Sequence, residues 1–476
     1  MNGIDDTIDA WVRPLADGLS SIVFFEVPVG EARLPLVVLW LVAAAVFFTV
    51  RFRFINLRGF FHALRLLRSE QHGPGEVSHF QALATAISGT VGIGNIGGVA
   101  VAVSLGGPGA AFWMIFAGFL GMSTKFVECT LGVMYRQENE DGSVSGGPMY
   151  YLERGLAERG HPRLGRALGV FYAMGIVVGC LGIGNMFQSN QAFTQLVGVT
   201  GGADSPLADH GWLVGLVLAF AVGLVIVGGI RSIARVTQSL VPFMAMLYLA
   251  VASMVLIFNI EAVPWAYWQM ISGAFSADSI AGGALGVMIL GFRRAVFSNE
   301  AGIGSATIAH SAVKTDEPLT EGFVSLLEPF VDTIVICHTT ALVLVTTLYY
   351  DPALGVGLGG IERTSAAFER VFPWAPVPLA VAATLFALST MVSWSYYGLK
   401  GFTYLVGESS AADFGFKTVF CLFVALGCSV RLDAVLDFSD ALVFLICIPN
   451  LIGLYWLYPL IDARLRGYPW GRKTRL

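Results

Sequence analysis

The sequence predicts an all-α polytopic membrane protein of eleven transmembrane helices, in which one extra helix precedes two five-helix units of opposite orientation. Three observations predict it. Of the 476 residues 55% are hydrophobic and only 13% charged, against roughly 25% charged in soluble globular proteins, and the mean hydropathy is +0.71. So much apolar side chain needs a bilayer around it. The apolar residues gather into eleven long runs, and two of these, five runs apart, are interrupted by glycine and polar residues in matching ways.

The runs lie near 35–50, 79–105, 109–134, 167–192, 212–230, 237–259, 280–313, 322–348, 377–399, 414–430 and 439–461. A span needs about 20 residues, so the first is short unless the amphipathic stretch Arg51–Phe61 extends it, and the seventh is too long for a simple crossing. Residues 1–34 are an acidic periplasmic or interfacial segment without the basic and apolar regions of a cleavable signal. Residues 35–78 hold the first membrane helix and an inner amphipathic linker, 79–259 the first five-helix repeat, 280–461 the second, inverted repeat, and 462–476 a cytoplasmic tail. With the N-terminus outside, 20 of the 28 Lys and Arg fall in inner loops and the tail, 5 fall in outer segments, and Lys125, Arg293 and Arg294 lie within spans. Cations collect on the cytoplasmic side, which predicts this orientation in a cell inner membrane. The longest inner loop, 137–166, is too small for a domain, and its strip Gly147–Leu156 is expected to lie flat on the membrane face. The chemistry therefore belongs among the helices.

Other classes are excluded by what the chain lacks. A net charge of -5 and no basic cluster with interleaved aromatics leave no footprint for nucleic acid. Cys129, Cys180, Cys337, Cys421, Cys428 and Cys447 lie in or beside apolar runs without CxxC or Cys/His spacing, and read as small core residues. No HExxH, GxSxG or nucleotide-binding loop occurs in a suitable context, so no enzyme is expected.

Residues 89–109 (GTVGIGNIGGVAVAVSLGGPG) hold eight glycines, the densest cluster in the chain. A second interruption, FSNEAGIGSA at 297–306, repeats the Gly-Ile-Gly of 92–94 at 302–304. Close packing explains glycines by themselves, since small residues let membrane helices approach. The polar content tips the reading, because Ser88, Thr90 and Asn95 crowd the first interruption and Arg293, Arg294, Ser298, Asn299 and Glu300 the second. Three ionised groups in one span cost on the order of 8–10 kcal/mol unpaired. Five helices run from the start of one unit to the start of the next, an odd number, so the units are inverted. Paired glycine-broken helices in inverted repeats mark the binding site of a secondary transporter. The freed amides, at the positive pole of a helix dipole, suit a carboxylate, and the freed carbonyls suit a small cation.

At these residues the chain resembles a known family. TAISGTVGIGNIGGVA (85–100), GGPMYYLERGL (146–156), FSNEAGIGSATIAHS (297–311) and STMVSWSYYG (389–398) resemble the alanine or glycine:cation symporters, over about residues 35–460. The resemblance implies a sodium-coupled importer of alanine or glycine, with one extra helix before a leucine-transporter-like core of ten. A more distant resemblance of Val91–Asn95 to the unwound first core helix of the bacterial leucine transporter implies that the Ile93 and Gly94 amides hold the substrate carboxylate. Thr90 stands where that transporter has a small apolar residue whose carbonyl binds sodium; its hydroxyl is an addition, and it is a further candidate substrate residue. The same resemblance implies the Asn95 oxygen as a sodium ligand. Ser389 and Thr390 resemble the hydroxyl pair that closes a second sodium site with the Ser88 and Val91 carbonyls. In the seventh span Leu290-Gly291-Phe292 resembles the leucine-transporter break, whereas the Gly-Ile-Gly symmetry favours a break at 297–302. Both stay open, and Gly291, Phe292, Phe297 and Asn299 are its candidate substrate residues.

Further polar residues have two readings. Gln188 contacts substrate, as the family's fourth span implies, or bonds a neighbouring helix. Trp394 caps the pocket or packs. Glu300 is expected to pair with Arg293 or Arg294, and Lys125 with Glu128 one turn away. Glu328 and Asp332 share a helix face and are expected to meet a loop Arg, a sodium or gate role being the alternative. His310 and His338 read as satisfied helix residues. The function alternative is a proton-coupled amino-acid transporter on the same scaffold. The second span from Phe80 to Ser104 holds no titratable side chain, which leaves Glu300 as its proton carrier.

Overall fold

The computed structural model describes residues 2–29, 32–69, 72–140, 142–276, 283–349, 358–429 and 433–470. The first residues of the expected seventh span and residues 471–476 of the expected tail lie outside them. Helix dominates, as a bilayer requires of backbone that must satisfy its own N–H and C=O groups. The order is α1 (Asn2–Val23), α2 (Leu36–Arg51), α3 (Ile55–Arg58), α4 (Phe60–Leu66), α5 (His79–Thr90), α6 (Gly97–Met134), α7 (Pro148–Glu158), α8 (Pro162–Leu181), α9 (Phe187–Val199), α10 (Gly211–Ile226) and α11 (Gly229–Phe258). It continues with α12 (Val263–Ala274), α13 (Gly283–Asn299), α14 (Thr307–His310) and α15, the run Pro318–Tyr349 with π-helical turns inside it. The last four are α16 (Gly360–Glu369), α17 (Pro376–Val406), α18 (Ser410–Gly427) and α19 (Asp433–Arg466).

Among the described residues seven helical runs are long and apolar enough to cross a membrane. Of the other expected spans, those at 35–50 and 212–230 form helices of 16 residues each, and those at 79–105 and 280–313 are divided. Two short antiparallel pairs, Glu26–Val29 with Ala32–Pro35 and Gln137–Glu138 with Val144–Ser145, correct the all-α expectation to mostly helical. The strip Gly147–Leu156 is corrected as well. It forms most of α7, whose Met149, Tyr151, Leu152 and Leu156 are fully buried, so it packs into the body instead of lying on a membrane face.

The divisions have local causes. A capping box opens α5, with Ser78 Oγ accepting from the Gln81 amide at 3.1 Å and the Gln81 side chain accepting from the Ser78 amide at 3.0 Å, which satisfies two first-turn donors. The helix ends at Thr90, Gly92 is extended (φ -130, ψ -159), and a single 3-10 turn at Ile93–Asn95 leads into α6. Gly107 at φ 66, followed by Pro108, bends α6 where the second and third expected spans meet. In the seventh expected span α13 runs unbroken through Leu290-Gly291-Phe292 to Asn299, and the chain then turns through Glu300 (φ 57), Gly302 (φ 96) and Gly304 (φ 86). Left-handed backbone favours glycine. The break therefore falls at 300–306.

The segments flanking the two breaks are stitched together at one end. Glu76 and Val77 donate backbone N–H groups to the Ala312 carbonyl at 2.7 and 3.2 Å, and Lys314 returns one to Val77 at 2.9 Å. The Arg136 guanidinium donates to the carbonyls of Ser311, Val313, Pro74 and Thr315 at 2.9, 2.5, 2.6 and 2.8 Å.

Candidate functional site

The break between α5 and α6 is buried and polar. The Gly92 N–H donates to Asn95 Oδ1 at 2.9 Å, and the Ile93 N–H points to Gln188 Oε1 at 3.4 Å. Gln188 is held in turn by its Nε2, which donates to the Ile183 carbonyl at 3.2 Å. That carbonyl belongs to a π-helical turn, Gly182–Met186, between α8 and α9, of the kind that recurs at functional sites. A Cβ on Gly94 would lie 3.6 Å from the Phe297 ring, and Phe297 meets Phe187 edge-on at 6.4 Å. Gly94, Phe297 and Gln188 thus surround the break. The Thr90 hydroxyl bonds back to the Ala86 and Ile87 carbonyls at 3.3 Å.

On the opposite side α5 meets α17 through hydroxyls. Thr390 Oγ1 donates to the Ser88 carbonyl at 3.0 Å, Ser88 Oγ donates to the Ser389 carbonyl at 2.6 Å, and Ser389 Oγ donates to the Phe386 carbonyl at 2.9 Å. The seam continues through Ser393, whose Oγ lies 2.8 Å from Ser88 Oγ and donates to the Thr85 carbonyl at 2.8 Å. Ser88, Val91, Ser389, Thr390 and Ser393 are all buried. Sequence reading missed Ser393, though it stands one helical turn beyond Ser389 on the same face. The seam gathers carbonyl and hydroxyl oxygens, the donor type that hard cations take. Trp394 donates its indole N–H to the Gly89 carbonyl at 3.2 Å and packs against Gly184, so it braces α5 against α8 and α9.

The second missed feature joins the two breaks. Asp332, fully buried in α15, accepts from Asn95 Nδ2 at 2.5 Å through Oδ1, and from Ser298 and Thr333 hydroxyls at 2.8 and 2.7 Å through Oδ2. Asn95 belongs to the first break and Ser298 to the last turn of α13. Thr340 adds a bond from its hydroxyl to the Asn95 carbonyl at 3.0 Å. The expectation that Asp332 meets a loop Arg is therefore corrected. An acid in an apolar run was the available sign, but its partners lie 237 and 34 residues away, beyond the reach of spacing.

Other residues of the seventh span face elsewhere. Gly291 abuts Ala110 and Trp113, and Phe292 packs beside Trp113 at 6.3 Å, on the α6 side and not at a break. Asn299 Nδ2 donates to Thr333 Oγ1 at 2.9 Å while its Oδ1 accepts from the Ala301 amide at 3.0 Å. Glu300 accepts from the Ser305 hydroxyl and forms no ion pair with either arginine among the described residues; the acids whose charge acts on the arginines are in α19, Asp440 for both and Asp437 for Arg293. Lys125 also departs from expectation. It is fully buried and donates to Glu328 at 2.9 Å, while Glu128 accepts from the Gly302 amide at 3.0 Å and from Asn450 Nδ2 at 2.7 Å. Beyond Glu328, His310 Nε2 stands 3.6 Å away, and Glu321 lies 2.5 Å from both His310 Nδ1 and His79 Nδ1. His338 meets Tyr267 edge-on at 5.5 Å.

Residues 25–475 match the Sodium:alanine symporter family. The chain belongs to that family. Among relatives of this symporter-family chain, AgcS of Methanococcus maripaludis, named a sodium/alanine symporter, is 39% identical over 448 residues, covering 92% of this chain and 95% of AgcS. AlsT of Bacillus subtilis, named an amino-acid carrier protein, is 34% identical over 439 residues, covering 92% and 90%. The crystal structure of MhsT in complex with L-phenylalanine matches with a TM-score of 0.55 at 18% identity, covering 79% of this chain and 89% of MhsT. That likeness shows the leucine-transporter-like fold expected from the sequence.

Proposed function

We propose that this family member is a sodium-coupled symporter that imports small neutral amino acids, alanine or glycine, by alternating access. The observation that carries the reading is the α5–α6 break, where backbone amides and Gln188 stand next to the hydroxyl seam on α17. The substrate carboxylate sits at the Ile93 and Gly94 amides, beside Thr90 and Gln188. Phe297, within van der Waals reach of Gly94, keeps the carried side chain small. One sodium lies between the Ser88 and Val91 carbonyls and the Ser389 and Thr390 hydroxyls. Asn95 supplies an oxygen to a second cation position, with Asp332 beside it as its counter-charge. The name of AgcS supports both the substrate and the ion, and that of AlsT an amino acid as the substrate.

The scaffold in this reading has eleven spans. Residues 79–259 and 280–461 form inverted five-helix repeats, and the N-terminus is outside and the C-terminus cytoplasmic in a cell inner membrane. A proton-coupled alternative finds its support in the buried chain His79–Glu321–His310–Glu328–Lys125. Binding of labelled alanine to the purified protein, in sodium and in choline, tests the first reading. Sodium-dependent binding is expected, and Thr390→Ala should need more sodium for half-saturation. Equal binding in choline, with affinity following pH, would favour the alternative.

A further inference from the structure

We propose that the cleft where α2, α3 and the end of α19 meet binds the phosphate headgroup of an anionic phospholipid. The cleft has a volume of about 560 Å³, and its lining includes Arg51, Arg53, Arg58, Arg466, Asp462 and Trp470. Four guanidiniums face one carboxylate, a surplus of three positive charges. The carboxylate is already engaged, since Asp462 Oδ2 accepts from Arg51 at 2.8 Å and from Arg466 at 2.6 Å. Arg53 and Arg58 pair with no acid among the described residues, and Arg58 lies over the Trp470 ring at 5.3 Å. Two arginines without a carboxylate, one of them held over Trp470, leave room for an anion, and guanidinium forks match phosphate oxygens in geometry as well as charge.

The backbone is bent to present them. Arg53 and Phe54 both adopt left-handed backbone, at φ 55 and 56, a costly conformation for residues that carry a Cβ and one that gathers at ligand-holding turns. It is held by the Phe54 N–H, which donates to the Thr49 carbonyl at 2.8 Å. A free phosphate would satisfy the charges alone. The lipid is favoured because Phe54, Leu57 and Phe61, on the same turn and the adjoining α3 and α4, are 47, 59 and 69% exposed, which gives acyl chains an apolar surface beside the headgroup. Basic clefts between membrane helices are known to take such headgroups. Such pockets lie on the cytoplasmic side of the membrane, where the proposed orientation puts this cleft, and the inference rests on that reading.

Thermal unfolding of the full-length protein in detergent tests it, with cardiolipin, phosphatidylglycerol, phosphatidylcholine or inorganic phosphate added. The anionic lipids should raise Tm, the rise should shrink with salt, and R53Q/R58Q should abolish it while leaving sodium-dependent alanine binding unchanged. Phosphatidylcholine and inorganic phosphate should give no comparable shift. An equal shift with phosphatidylcholine, or one retained in R53Q/R58Q, would overturn the site. The same shift with phosphate alone would overturn the lipid and assign a soluble anion. If the double variant does not fold, R53Q alone serves the same comparison.

Discussion

A methyl group on Gly92 would lie 2.8 Å from the Thr390 hydroxyl and 3.2 Å from Gln188 Oε1, whereas one on Gly94 would lie 3.6 Å from the nearest atom of Phe297. The first distance forces a neighbour to move; the second is ordinary contact. Gly92→Ala is therefore expected to raise the sodium needed for half-maximal alanine binding, and Gly94→Ala to leave the sodium requirement unchanged. Gln188→Ala should weaken alanine binding by about 1–3 kcal/mol, the cost of an unpaired buried polar group, read by titration of labelled alanine. Ser389→Ala and Thr390→Ala should raise the sodium requirement, since each removes one oxygen from the seam; Ser389→Ala removes nothing else, whereas Thr390→Ala also takes a buried methyl, worth about 1 kcal/mol. The glycines and hydroxyls were legible in the sequence because they stand out chemically from an apolar run. Asp332 was visible as an acid, but its union with Asn95 and Ser298 is a product of folding alone.

At the scale of elements, the seventh span shows why a motif can mislead. Leu290-Gly291-Phe292 looks like a break by resemblance, yet no residue there needs left-handed backbone and α13 continues through it. The Gly-Ile-Gly run supplies two glycines that do adopt it, and Glu128 of α6 accepts the freed Gly302 amide. Local pairings failed for a related reason. Neighbours one turn apart, such as Lys125 and Glu128, were each claimed by a different helix. Lys125 and Glu328 form a buried pair between α6 and α15, so removing one partner strands a charge. Lys125→Met should cost roughly 3–5 kcal/mol of stability, and Lys125→Met with Glu328→Leu should recover much of it, measured by thermal unfolding in detergent. A single variant as stable as the double would remove the pair from the account.

At the scale of the whole molecule, eleven apolar runs and a biased distribution of cations were readable directly. Composition and charge placement answer to the bilayer and not to tertiary contacts. The stitching of the segments at 74–77 and 311–315 through Arg136 was not readable, because backbone carbonyls leave no mark in a sequence. Orientation has its own test. Both Asp204 and Glu140 are exposed, so single cysteines there, in a cysteine-free background, should react with an impermeant reagent from outside at 204 and not at 140. The reverse pattern would invert the orientation. The central claim, uptake of a small neutral amino acid driven by sodium, is tested most directly by labelled alanine uptake into proteoliposomes under an imposed ion gradient. Each sodium adds one charge to a neutral zwitterion, worth about 2.3 kcal/mol per 100 mV. Uptake should therefore require an inward sodium gradient and rise when the interior is made negative. Accumulation that ignores sodium and follows a proton gradient would contradict the account.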